Sequence, residues 1–135
     1  MGYASAKRAL RKAIKARLDG ALSVPVLTHA REALAEWVRL GAITENDSFR
    51  AQGFDGAVLT ATVVAWSASK STAEARGEAI IRELNDRTDR LALEAPFYVV
   101  TQALQAHDDL EERAADGPDL FGDLVVMRYQ IGQRP

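Results

Sequence analysis

"TATVVAWSASKSTAEARGEA", residues 60–79, changes its hydrophobic rhythm halfway along, and that change decides the fold. From Thr60 to Ala68 the residues are β-branched, aromatic or small, the composition of a half-buried pleated strand. From Thr72 onward Ala73, Gly77, Ile80, Ile81 and Leu84 recur at helical spacing and form one stripe. Between the two lies a serine-rich joint. Its spacing, Ser67-x-x-Lys70, is also that of serine acyl-enzymes, which carry further S-D-N and K-T-G partner motifs. Neither partner occurs in this chain, so the stretch reads as the place where a sheet hands over to a helix.

Working outward, "AVLTATVVAWSA" (57–68) is the clearest strand, and "EWVRLGAITE" (36–45) is a second, with Val38, Leu40 and Ala42 alternating against Arg39 and Gly41. The polar "NDSFRAQGFDG" (46–56) between them favours turns, which predicts a long antiparallel hairpin. "SVPVLTHA" (23–30) carries Pro25 and reads as an edge strand or extended link. The helix after the joint is expected over 72–87. Ser71 and Glu74 fit a capping box, Gly77 allows close approach to the sheet, and Asn85-Asp86 ends it.

The chain opens with another helix, expected from Ala4 to Leu18. At about 100° per residue, Ala6, Leu10, Ala13, Ile14 and Leu18 share one stripe, with Lys7, Arg8, Arg11, Lys12 and Lys15 opposite. Asp19-Gly20 supplies a stop. Towards the C-terminus "RLALEA" and "PFYVVTQALQA" read as extended. "HDDLEERAADGPDLFGD" (107–123), with seven acids against Arg113 and a central Gly117-Pro118, reads as a loop. "LFGDLVVMRYQIG" closes the chain as a strand with Phe121, Val125, Met127, Tyr129 and Ile131 on one face. The order predicts an α+β domain over residues 1–135: a mostly antiparallel sheet of four to five strands, with two helices packed on one face.

Composition bounds the function. A chain of 135 residues suits one domain, and a net charge of −2 implies no bulk attraction to a charged partner. With no cysteine, disulfides, thiolate catalysis and cysteine-ligated metals are excluded. No apolar run approaches the roughly 20 residues of a membrane span, and the N-terminus lacks the apolar core of a signal peptide, so folding in the cytoplasm is expected. His29 and His107 stand far apart without metal-ligand spacing and read as surface histidines. Asp108, Asp109, Glu111 and Glu112 are oxygen donors but lack the calcium-loop pattern, and no glycine-rich phosphate loop occurs. No catalytic, cofactor-binding or metal site is expected. The first 18 residues hold six cations and no acid, leaving −8 for the rest of the chain. That face is either solvated or docks an acidic partner. Nucleic acid is the weaker option, because no aromatic or glycine interleaves the cations.

The assembled pattern resembles the tail terminator (tail completion) proteins of long-tailed bacteriophages and gene transfer agents. "AKRALRKAIKARL" stands where that family has an alanine-rich opening helix. "WVRLGAITENDSF" is similar to its strand leading into the long hairpin. "GFDGAVLTATVVAWSASKSTAEARGEAIIRELND" matches its strand ending in tryptophan and serine, followed by a small-residue helix, and "FGDLVVMRYQI" its closing strand. The likeness is diffuse and spans nearly the whole chain. Where the family commonly has a proline before the strand, Glu36-Trp37 stands here, and 23–36 lacks its proline-rich loop, so loop contacts are not carried over.

The resemblance implies a non-enzymatic virion protein of the tail or neck, assembled in the bacterial cytoplasm. It implies a homo-oligomeric ring, typically hexameric, that caps the head-proximal end of the tail tube, stops its polymerisation and meets the head-side connector or stopper. DNA passes through such a ring without specific binding. Ring closure needs two different patches on each subunit. The candidate interface residues are Lys7, Arg8, Arg11, Lys12 and Lys15 on one side and Asp108, Asp109, Glu111 and Glu112 on the other. Another neck or tail component, such as a connector or tube subunit, and a small ligand-binding domain are the alternatives.

Overall fold

The computed structural model describes residues 3–28, 36–46, 56–86, 88–112 and 119–134. The chain runs α1 (Tyr3–Ala21), β1 (Val26–Leu27), β2 (Glu36–Asn46), β3 (Gly56–Ser67), α2 (Lys70–Leu84), β4 (Phe97–Glu112) and β5 (Leu120–Gln133). Among the described residues these strands form one sheet in the order β1-β2-β3-β5-β4. β1 pairs parallel with β2, and every other pair is antiparallel. The expected α+β class, the long β2–β3 hairpin and the edge position of the Pro25 segment are all present.

β3 and β5 make the centre of the sheet. Leu59, Ala61, Val63 and Ala65 of β3 and Val125, Met127, Tyr129 and Ile131 of β5 form one buried cluster with Leu10, Ile14 and Leu18 of α1 and Ile80 and Leu84 of α2. Both helices therefore cover the same sheet face. Each large aliphatic side chain removed from water there contributes roughly 1.5–3 kcal/mol before entropy is counted. Tyr129 is completely buried, and burial pushes its phenol well above the usual range.

Four local expectations are corrected. α1 does not stop at Asp19-Gly20: it runs through Gly20 to Ala21, and Leu22 N–H still donates to the Leu18 carbonyl at 2.8 Å. α2 begins at Lys70, and its N-cap is Ser69, whose side chain accepts from Thr72 N–H, so the Ser71–Glu74 box lies inside the helix. The Asn85 stop is as expected, but it closes the helix at Leu84, short of the expected span to 87. In β2, Leu40 pairs with Val63 and Ile43 with Ala61, so two residues, Gly41 and Ala42, oppose Thr62 alone. This bulge turns Ile43 into the core and leaves Ala42 exposed.

The largest correction concerns 107–123, which is not a single loop. His107 to Glu112 continue β4, and β5 has already begun at Leu120; residues 113–118 lie outside the description. Asp108 pairs with Leu124, Asp109 with Asp123 and Glu112 with Leu120. The acidic run is strand because the alternating β5 supplies a hydrogen-bonding partner all along it. Its side chains are acidic because β4 is an edge, largely exposed over this stretch.

Candidate interaction surface

The six cations of α1 have three different environments. Arg17 is drawn inward: its guanidinium donates to the backbone carbonyls of Glu83 (3.0 Å), Asp89 (3.1 Å) and Arg90 (3.4 Å), fastening α1 to the end of α2 and the segment beyond. Lys12 pairs with Glu94 at 2.8 Å, and Lys15 with Asp19 at 2.7 Å one helical turn on. These exposed pairs are worth little in stability, but they take two candidate residues into contacts within the chain. Lys7 and Arg11 make no ion pair among the described residues, and Arg8 acts on Glu94 only at a distance. The Lys12 ammonium, followed by Arg8, holds the Glu94 carboxyl below its ordinary value.

The four candidate acids are divided by the pleat. Asp108 and Glu112 share the helix-free face with their cross-strand partners Leu124 and Leu120, whereas Asp109 and Glu111 point to the helix side, opposite Asp123 and Phe121. On that side stands a polar group the sequence did not reveal. Asp123 is fully buried, its carboxylate 2.6 Å from Nε2 of His107. Burial raises its pKa; His107 opposes that rise, and Asp109 adds to it. His107 is thus exposed at its rim but anchored at its tip, more than a bland surface residue. His29 lies outside the described residues.

At the strand-to-helix joint the hydroxyl of Ser67 is buried, donates to Glu36 Oε1 at 3.3 Å and accepts from Ser69 N–H at 3.1 Å. Lys70 is the first, exposed residue of α2. An open groove of about 390 Å³ lies nearby, between Leu22 and Ser23 on one side and Ser71, Thr72 and Arg76 on the other. Arg76 there leans towards Glu36, 3.6 Å away. Among the described residues no three His, Asp or Glu side chains are grouped so as to hold a metal ion.

The helix-free face carries the second feature that sequence reading missed. Trp37 of β2 and Trp66 of β3 are cross-strand partners whose rings stack with centroids 6.1 Å apart and planes 28° from parallel. Both ends of β5 receive an aromatic ring over a glycine: Trp66 lies against Gly122, and Tyr98, with the Arg134 guanidinium 5.5 Å from its centroid, lies against Gly132. The signal was available, since a glycine inside a strand marks close approach of another group.

The molecule is thus an α+β sheet protein with helices on one face, a stacked tryptophan pair on the other, and an acidic edge strand opposite a basic helix. It shares this fold with a chain of the virion of a native gene transfer agent particle: the TM-score is 0.72 at 20% identity, covering 97% of this chain and 100% of the other. No family model and no curated protein matches the sequence.

Proposed function

We propose that this chain is a structural virion protein of the tail terminator type. It forms a ring at the head-proximal end of a tail tube, ends tube growth and presents a surface to the head-side connector. The observation that carries the reading is the end-to-end likeness of fold to a component of a gene transfer agent virion, with neither chain leaving a domain unmatched. The local pattern of strand, serine joint and small-residue helix at 60–79 supports the same reading.

The chemistry agrees. The hydroxyl of Ser67, the one feature with a catalytic spacing, is engaged with Glu36 and the Ser69 amide beneath the start of α2. What the surface offers is charge, with the exposed ring of Tyr98, and these serve recognition. A ring of identical subunits uses heterologous contacts, each patch meeting a different patch on the next copy.

The test is a capping assay. The purified chain is added to a polymerising tail tube protein, and tube lengths and ends are imaged by electron microscopy. Arrested growth with a ring at one end is the expected result. Tubes of unchanged length with bare ends would reject the reading, and incorporation along the tube wall would assign the chain to the tube itself.

A further inference from the structure

Among the described residues no element packs on the outer face of α1, and its position relative to β4 points to what covers it. α1 packs against β1, β2 and β3, at one side of the sheet; β4 is the opposite edge. The same opposition holds along the strands. Lys12 is bonded to Glu94, and the Glu94 carbonyl accepts from the amide of Phe97, so the basic end of α1 lies beside the start of β4. Asp108 and Glu112 lie at the other end of that strand. At about 3.3 Å per residue, Asp108 lies roughly 30–36 Å and Glu112 roughly 43–50 Å from the start of β4. No bending of exposed side chains closes that gap within one molecule. Sequence alone showed opposite charges; the structure sets them at opposite corners, the arrangement a head-to-tail contact requires.

We propose that Lys7, Arg8 and Arg11 of one copy receive the far end of β4 of the next copy, with Asp108 and Glu112 as the acceptors. This rests on the ring-forming reading above and names its contact. The structure selects these five from the nine candidates. Lys12 and Lys15 are engaged within the chain, Asp109 faces the Asp123 carboxylate, and Glu111 points to the helix side of its own molecule. Asp108 and Glu112 are exposed, on the helix-free face, and make no ion pair among the described residues. Charges of this kind guide association and reject wrong registers more than they add affinity. Leu110, on the same face between the two acids, supplies apolar surface to the contact.

The experiment is a charge swap in the full chain. One variant carries Lys7→Glu, Arg8→Glu and Arg11→Glu; a second carries Asp108→Lys and Glu112→Lys; a third carries all five. Sedimentation velocity and native mass spectrometry follow assembly against concentration at low and high salt, with circular dichroism checking that each variant folds. The wild type assembles. Each single-sided reversal raises the concentration needed by about tenfold or more, equivalent to the loss of two or more exposed pairs. The five-fold variant recovers, and the differences shrink in high salt. If the wild type forms rings and neither reversal disturbs them, the pairing is wrong while the ring reading stands. If the wild type stays monomeric at every concentration and caps no tube, both fall. If instead the basic reversal leaves assembly intact and abolishes binding of a labelled DNA duplex, the helix face belongs to nucleic acid and the pairing is overturned.

Discussion

The carboxylate of Asp123 lies against the bare backbone of Gly77, occupying the place where a β-carbon on that residue would stand. A buried acid on β5 thereby sets how closely α2 approaches the sheet, and His107 holds the acid from the strand beyond.

Replacing Gly77 with alanine therefore reverses a general rule. Inside a helix, alanine is ordinarily favoured over glycine by about 1 kcal/mol. At Gly77 the new methyl meets a short, buried side chain that has no free direction to move, and overpacking of this kind costs roughly 1–3 kcal/mol. Gly20 is the control: it lies in α1 with nothing within 4 Å of an added β-carbon. Urea denaturation is expected to show Gly77→Ala less stable and Gly20→Ala more stable than the parent. Equal shifts in one direction would contradict the packing.

The pH dependence follows from the same acid. Burial raises the folded-state pKa of Asp123 above the ordinary 3.8, so the native state binds its proton more tightly than the unfolded state does. Its contribution to stability is complete below the unfolded value and is lost as pH rises through the raised one. Asp86 and Glu94, lowered by the Thr88 hydroxyl and by Lys12 respectively, act in the opposite sense and lose their contribution on acidification. Asp123→Asn removes this opposing contribution, so between neutral pH and about pH 4 the variant is expected to lose more stability than the parent. Denaturation midpoints across that window measure the difference. A variant with the shallower fall would rule the assignment out.

The tryptophan pair reports on the helix-free face. The chain has two tryptophans, Trp37 and Trp66, and they stack on each other, so indole emission comes from that pair alone. A β-carbon on Gly122 would lie 2.9 Å from the Trp66 ring and displace it from Trp37. Gly122→Ala is expected to shift the emission maximum and lower stability by about 1–3 kcal/mol. An unchanged spectrum would mean the ring does not rest on Gly122.

Arg17 separates structure from surface within the basic helix. It reaches three backbone carbonyls, and hydrogen bonds from a charged donor are worth roughly 1.5–3 kcal/mol. Arg17→Ala is expected to destabilise the fold by about that amount. Lysine restores little, because its ammonium lacks the planar fork that reaches several acceptors at once. Lys7→Ala and Arg8→Ala leave the melting temperature nearly unchanged. A mild Arg17→Ala would place the attachment of α1 elsewhere.

The two helices, the β2–β3 hairpin and the closing strand were legible because each carries a periodic apolar pattern of its own. Boundaries drifted where local chemistry offered two answers: Ser69 and Ser71 are both competent caps, and the one at the end of the β3 ladder acts. Ala42 and Ile43 exchange places because a bulge shifts the period by one residue, and Gly41 inside the strand is its local sign. The acidic half of β4 has no inward apolar alternation, so it reads as loop. It became a strand only through its pairing with β5.

Sequence by itself determined the class of fold, the buried stripes and the separation of positive from negative charge, because helix and strand periods and side-chain polarity are local properties. Tertiary structure alone decided which cations are engaged within the chain, that Asp123 sits beneath Gly77 beside His107, and that the basic helix and the acidic strand end occupy opposite corners. Those facts depend on which strand lies beside which, and strand order is set by packing across residues distant in the chain.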